Sequence, residues 1–388
     1  MSKILTVDLP GRAYDIEIER GLLDRVGERC KAVLPRAKAL FVVTDSTVGP
    51  LYGQRVLDSL EKAGFCAALH TVPAGEESKC VERLQELWEA MMAARLTRTD
   101  AVVALGGGVV GDLAGFAAAT VLRGVDYIQI PTTLLAQVDS SVGGKVAIDL
   151  HAGKNLAGAF WQPKGVLIDP EVLTTLTDRT FSDGMAEVIK YGMIGDAGLL
   201  NTLETIDLRA DPEGVTKYGC IRDRAFFDKL AAWGGRDGVM EHIEEVIHTC
   251  CDIKRKVVLN DERDTGERMV LNFGHTIGHA FELAGHYETW THGQGVAAGM
   301  CVAARLGEQM DITPAGTTET IQNILKEYQL PLTIPCPWDT LVEAVGLDKK
   351  NAGSDIRLIV LEELGKAVPH AMPREALLEA LAPMWKGN

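Results

Sequence analysis

Ala101-Val102-Val103-Ala104-Leu105-Gly106-Gly107-Gly108-Val109-Val110-Gly111-Asp112 reads as a strand that runs into a glycine-rich turn and out into a helix, Leu113 to Thr120. A short apolar run before glycines predicts a strand covered on both faces. The glycines let backbone N–H groups and a helix N-terminus approach a pyrophosphate. The turn matches G-x-G-x-x-G, with Asp126 a rough candidate for the acid that would hold a ribose. A turn shaped only by packing is the alternative reading.

Upstream, the same alternation continues. Ala39 to Thr44 is a buried strand candidate, Gly53 to Ala63 a helix, Ala67 to Val72 a strand and Val81 to Ala94 a helix. Such alternation builds a mostly parallel sheet flanked by helices. Beyond Ser182 the pattern turns to amphipathic helices, including His242 to Val258, Val296 to Leu306 and Thr317 to Tyr328. With the change placed near Thr177 to Phe181, the expected architecture is an α/β, Rossmann-like nucleotide-binding domain over 1–178. An all-α metal-binding domain would follow over 179–388. One internal echo, Lys190-Tyr191-Gly192-Met193-Ile194-Gly195-Asp196 with Lys217-Tyr218-Gly219-Cys220-Ile221-Arg222-Asp223, marks about Met193 to Tyr218 as a local insertion. Function is expected to follow the first copy, which has Glu187 where the second has Gly214.

At 388 residues the chain can bury a substantial core, and its formal charge of −15 excludes a nucleic-acid binder, which needs clustered Lys and Arg. An anionic ligand must therefore meet a local basic pocket. The eight cysteines form no C-x-x-C pair, so neither a disulfide framework nor a thiolate zinc site is indicated. The start carries no apolar signal core and no apolar run reaches membrane-spanning length, so a soluble, cytoplasmic protein with no membrane partner is expected.

Three histidines suggest a cation. Asn272-Phe273-Gly274-His275-Thr276-Ile277-Gly278-His279 places two imidazoles four positions apart on one helix face, and His292-Gly293 adds a third after a short loop. Glu187 and Lys190 share a helix face, blandly as a surface ion pair. In the sharper reading Glu187 joins His275 and His292 in a two-His, one-carboxylate zinc site with an open position. The block Pro131 to Lys145 concentrates hydroxyls, Asp139 and Lys145, followed by Lys154-Asn155, and suits ribose, phosphate or a sugar-like substrate. Arg123, Lys145, Lys154, Lys190, Lys254, Arg268, Lys349 and Lys350 are cations near these motifs, as a phosphate-bearing substrate requires.

Taken together these blocks resemble the 3-dehydroquinate synthases, within the sugar-phosphate cyclases. The match runs from about Asp45 to Gly365 and includes Gly75-Glu76-Glu77-Ser78-Lys79, Gly106 to Gly115, Leu122-Arg123-Gly124-Val125-Asp126 and Ile130-Pro131-Thr132-Thr133. It continues through Gln137 to Lys145, Gly153-Lys154-Asn155, Ala186 to Gly192, Leu271 to His279, His292-Gly293 and Asp348-Lys349-Lys350. The resemblance implies a dehydroquinate synthase-like fold, an active site in the cleft between its domains, NAD and a divalent ion, Zn2+ or Co2+. It also implies a small-molecule sugar phosphate as substrate and a homodimer. The implied metal ligands are Glu187, His275 and His292. NAD contacts would be Asp45, Glu76, Lys79, Gly107, Gly108, Val109, Gly111, Asp112, Thr132, Thr133, Lys145, Lys154, Thr175 and Leu176. Substrate contacts would be Arg123, Asp139, Lys190, Lys254, Arg268, Asn272, His279 and Lys350, with Arg123 serving the phosphate from a second subunit. Lys145, Lys154, Asn155, Arg268, Asn272 and His279 would carry catalysis. Gln294-Gly295 departs from the usual Glu-Ala after His-Gly, and Thr47 stands where some members have Asn.

The activity so implied converts 3-deoxy-D-arabino-heptulosonate 7-phosphate to 3-dehydroquinate and phosphate in the shikimate route. It proceeds by transient oxidation, phosphate elimination, reduction and aldol closure. The alternatives are a sister cyclase acting on sedoheptulose 7-phosphate or glucose 6-phosphate, a metal-dependent polyol dehydrogenase that releases NADH, and a non-catalytic binder of nucleotide or metal.

Overall fold

The computed structural model describes residues 2–195, 229–230, 232–233, 235–285, 289–347 and 355–385. Lys349, Lys350 and most of the insertion expected over Met193 to Tyr218 lie outside them. The chain divides into two compact units, Met1–Phe181 with Ile243–Arg255, and Ser182–His242 with Lys256–Asn388. The stretch Ile243–Arg255 thus groups with the sheet, although it follows the change in sequence pattern.

In the first unit a seven-stranded sheet has the order β1-β2-β9-β6-β5-β3-β4. Its strands are β1 (Lys3–Val7), β2 (Tyr14–Ile18), β3 (Ala39–Asp45), β4 (Cys66–Val72), β5 (Ala101–Gly106), β6 (Asp126–Pro131) and β9 (Gly165–Ile168). Every pairing is parallel except β1 with β2 at one edge. Helices α1 (Val26–Val33), α2 (Gln54–Lys62), α3 (Val81–Ala93) and α4 (Gly108–Thr120) cover it. Side-chain alternation along β3 divides the core: Leu40 and Val42 pack with α1 and α2, while Phe41 and Val43 pack with α3 and α4. Because both faces are covered, β5 is buried along its whole length.

Strand order explains the unusual place of the glycine turn. From β3 the chain runs outward to β4 and then returns to β5 on the other side of β3, so the order reverses between β3 and β5. Ligands of open α/β sheets bind beyond the carboxyl ends of strands at such a reversal. The carboxyl ends here are Asp45 and Gly106. The glycine turn therefore follows the third strand of the run rather than the first. Asp126 opens β6 opposite Ala101, at the amino ends of the strands, so it is no ribose ligand; periodicity had given no strand order. Helix α4 begins inside the glycine run rather than at Leu113, because Gly111 and Gly115 have no side chain to keep it from Gln129 and Val146. Val146 belongs to an antiparallel hairpin, β7 (Lys145–Leu150) with β8 (Gly153–Phe160), whose glycine-rich second strand carries little strand signal.

The second unit contains α5 (Asp178–Ile194) from Ser182 onward, α6 (Gly235–Glu241), the last turn of α7 (Ile243–Asn260), α8 (His275–Ala284) and α9 (His292–Gln309). Helices α10 (Thr317–Glu327), α11 (Trp338–Leu347) and α12 (Arg374–Trp385) follow. The expected all-α composition needs one amendment, the antiparallel hairpin β10 (Asp355–Glu363) with β11 (Lys366–Pro373). Its apolar face, Ile356, Leu358 and Val360, completes a core with Ile277, Phe281, Ala298 and Leu306. No helix of the described residues is long and apolar enough to cross a membrane.

Asp169, just past β9, ties the amino-terminal segment to the sheet. Its buried carboxylate accepts the N–H groups of Gly21 (3.0 Å), Leu23 (3.0 Å) and Glu171 (3.1 Å). Asp169→Ala leaves three donors unpaired and is expected to cost roughly 3 kcal/mol, with Asp169→Asn intermediate, as read from urea unfolding.

Candidate metal centre and nucleotide site

The metal centre begins with two helices packed closer than side chains allow. A Cβ on Gly299 would lie 2.0 Å from the carbonyl oxygen of Gly274, and one on Gly295 would lie 2.9 Å from that of Gly278. Two four-residue glycine spacings, one on α8 and one on α9, thus bring the two backbones into contact, antiparallel, with Gly274 level with Gly299 and Gly278 with Gly295. Thr291 and Gln294 close the start of α9 in a reciprocal capping box, which gives Gln294 a function at its variant position. The N–H of Gly293 donates to Asp183 Oδ1 at 2.6 Å, so α5 grips the same helix end one turn before Glu187.

Glu187 is fully buried, and its Oε1, which accepts no hydrogen bond, lies 3.5 Å from His275 Nε2 and 3.3 Å from His292 Nε2. One ligand atom from each residue falls within 4.8 Å of the others. Each Nδ1 faces an acceptor, Phe273 O at 3.1 Å for His275 and Glu282 Oε1 at 3.5 Å for His292. An oxygen that only accepts holds the proton on Nδ1 and leaves the Nε2 lone pair for a cation. A buried, bondless carboxylate oxygen facing two such lone pairs fits a divalent ion with an open position. Burial, helped by the charge of Lys190, holds His275 well below the usual histidine range. Burial also lowers His292, but the Glu282 and Glu187 carboxylates outweigh it and raise that ring well above the range. Lys190 contacts the other Glu187 oxygen and is itself buried.

His279 lies beside this group without joining it, its ring 5.8 Å from that of His275. Arg268 and Asn272 belong to the 3₁₀ segment Glu267–Asn272 that leads into α8. Asp261 holds that segment by accepting the N–H groups of Thr265, Gly266 and Arg268, while buried Arg268 donates to Glu262 O at 2.7 Å.

In the first unit a second set converges. Buried Lys79 places Nζ 3.0 Å from Asp112, 2.6 Å from the Asn155 side-chain oxygen, 3.3 Å from Glu76 and 4.0 Å from Asp149. Lys154 Nζ lies 3.8 Å from Glu76. Burial opposes the charge on Lys79, but Asp112 and Glu76 outweigh it, so its pKa is raised. Asn155 adopts φ +55°, held there by its N–H bond to Asp149 Oδ1 at 2.7 Å. At the start of α4 no side chain caps Gly107, and a Cβ there would lie 3.0 Å from the Thr133 methyl. Val109 follows in the first turn. The N–H of Thr132 bonds to Gly106 O at 2.9 Å, and Thr132 Oγ1 is buried without a partner. Backbone groups and a buried hydroxyl thus gather where a pyrophosphate would lie.

Other expected residues have partners of their own or lie on other segments. Asp45 Oδ1 accepts the N–H groups of Thr47 and Val48, both at 2.8 Å, and Thr175 Oγ1 is 2.7 Å from the Tyr52 hydroxyl, with Leu176 next in the chain. Lys145 is exposed at the start of β7, and exposed Arg123 follows Leu122 with both at positive φ. Lys254 donates to the Asp139 carbonyl at 2.8 Å and contacts its carboxylate. Sequence reasoning missed Asp149, Asp183 and Glu282. Of these only Glu282 left a trace, seven positions after His275 on the same helix face.

A parallel α/β unit with a glycine turn at its strand reversal, and a helical unit with a carboxylate and two imidazoles, define the fold class of 2-deoxy-scyllo-inosose synthase. A crystal structure of that enzyme with carbaglucose-6-phosphate, NAD+ and Co2+ matches at TM-score 0.81 and 23% identity over 98% of this chain and 99% of that one. Residues 69–183 match the family model 3-dehydroquinate synthase N-terminal, and residues 212–351 match 3-dehydroquinate synthase C-terminal. The 3-dehydroquinate synthase of Clostridium botulinum is 44% identical over 94% of this chain and 97% of its own length. That of Enterococcus faecalis is 42% identical over 96% and 97%. The chain belongs to the 3-dehydroquinate synthase family.

Gly299→Ala is expected to force α8 from α9, costing about 3 kcal/mol and lowering bound divalent metal well below one per chain, as measured by elemental analysis. Burial pushes the Asp261 carboxyl up, but the hydrogen bonds it accepts hold it at about 2. A lowered pKa means stability that is complete above the ordinary carboxyl range and lost as pH falls from about 4 toward 2. The stability gap between wild type and Asp261→Asn in urea should therefore narrow across that interval.

Proposed function

We propose that the chain converts 3-deoxy-D-arabino-heptulosonate 7-phosphate to 3-dehydroquinate and phosphate, with NAD and a divalent cation, zinc or cobalt, as cofactors. The cluster of Glu187, His275 and His292 beside buried Lys190, in a chain of this family, carries the reading. When bound, NAD would take up and return one hydride, and the cation would polarise the hydroxyl on the carbon that gives the hydride up. Glu187, His275 and His292 hold the cation. Gly107, Gly108, Val109 and the start of α4 receive the pyrophosphate, with Thr132, Thr133, Lys79, Asp112, Gly111 and Glu76 around it. Asp45, Thr175 and Leu176 complete the nucleotide contacts.

Lys190, Lys254, Arg268 and Asn272 orient the substrate's anionic and hydroxyl groups, with Asp139 and Lys350. Arg123 serves the phosphate from the second chain of a homodimer. Lys145, Lys154 and His279 handle protons and developing oxyanions, and Asn155 fixes the segment that carries Lys154. Aldol closure then needs mainly a pocket that holds the reacting ends together. The setting is the cytoplasm and the shikimate route.

The test is incubation with the heptulosonate phosphate, NAD and zinc, reading phosphate and product. Phosphate release without net NADH supports the reading; NADH accumulation would indicate a polyol dehydrogenase. Phosphate release from glucose 6-phosphate or sedoheptulose 7-phosphate instead would indicate a sister cyclase. Lys154→Ala should lower turnover about a thousandfold with metal content unchanged.

A further inference from the structure

We propose that Glu282 is a positioning residue for the metal centre: its carboxylate accepts the Nδ1–H of His292 and turns the Nε2 of that ring toward Glu187 and His275. The inference rests on the reading of Glu187, His275 and His292 as a cation site and adds a residue outside that set.

The register of the two packed helices puts Glu282 in place. Gly274 lies level with Gly299 and Gly278 with Gly295, so one further turn brings Glu282 level with the first residues of α9. There its Oε1 lies 3.5 Å from His292 Nδ1. Gly295 leaves the space: a Cβ at that position would come within 3.3 Å of Glu282 Cγ. The Glu282 side chain is 5% exposed, on a helix whose neighbouring Ile277, Ala280 and Phe281 are buried in the apolar core. A carboxylate in that setting is costly unless it engages a donor. His275 needs no such help, since Phe273 O already engages its Nδ1. For His292 the acceptor that faces Nδ1 is the Glu282 carboxylate on the opposite helix. Asp183 fixes the backbone at the same point through Gly293, so one carboxylate holds the helix end and the other holds the ring.

A neutral imidazole has one N–H and one lone pair, and a ring flip or tautomer exchange takes the lone pair away from the ion. Removing the partner of a ligating histidine typically weakens metal binding about 10–100-fold.

The test is Co2+ titration of the metal-stripped full chain, followed by visible absorption and chelator competition, with thermal unfolding of each metal-free variant. Glu282→Gln keeps an acceptor oxygen at the same reach and should bind Co2+ within about threefold of wild type. Glu282→Leu keeps the volume without the acceptor, and Glu282→Asp withdraws the carboxylate by one methylene; both should bind at least tenfold more weakly. A purely space-filling role would leave Glu282→Leu unchanged, which overturns the proposal. If Glu282→Leu does not fold, the other pair decides: Asp weaker than Gln supports the assignment, and equal affinities overturn it. His292→Ala separates the two levels of inference. If wild type binds no Co2+, or His292→Ala binds it as well, the cation site itself is lost. If wild type binds Co2+, His292→Ala does not, and every Glu282 variant matches wild type, only the role of Glu282 falls.

Discussion

The contact on which the candidate metal centre depends is made by absent side chains. Helices α8 and α9 meet backbone to backbone at Gly274, Gly278, Gly295 and Gly299. Each begins with a histidine of the candidate metal centre, His275 on one and His292 on the other. In an antiparallel pair the starts of the two helices lie at opposite ends, so the imidazoles must lean toward each other to share Glu187. They can do so only because the backbones are not held apart by Cβ atoms. Ring centroids 5.2 Å apart are the result. The third member, Glu187, is fixed separately, since α5 reaches the start of α9 through Asp183 and then presents Glu187 one turn later.

Legibility in the sequence follows the range of each signal. The glycine turn, the strands around it and the grouping of Glu187 with His275 and His292 were readable, because periodicity and residue chemistry are local properties. Strand order is not local, so Asp126 looked like a ribose ligand until the sheet placed it at the wrong ends of the strands. Hairpin β7–β8 escaped notice because a strand reading Gly153-Lys154-Asn155-Leu156-Ala157-Gly158 has neither alternation nor β-branched residues. Residues that act through other residues were the hardest. Asp149 bonds a backbone N–H, Asp183 bonds another, and Glu282 faces a ring nitrogen from the opposite helix. A lone carboxylate in sequence gives no sign of which donor it will meet.

Charge distribution reconciles an acidic protein with an anionic substrate. The chain carries −15 overall, so its mean field repels phosphate and carboxylate alike. Among the described residues the buried lysines and arginines are Lys79, Lys190, Lys254 and Arg268. Burying a cation costs several kcal/mol unless partners compensate, and structural ion pairs rarely justify it when an apolar residue would serve. Here Lys79 has Glu76 and Asp112 beside it, Lys190 has Glu187, and Lys254 has Asp139. A cation placed in this way sits where water screens it little, and an interaction made there is stronger than one at the surface. Every one of the four is also a contact that the family resemblance implies for nucleotide or substrate. Burial supplies a physical reason for that coincidence: a fixed, desolvated cation is what a net-negative protein must provide if it is to draw in a sugar phosphate and hold it while charge develops on its oxygens.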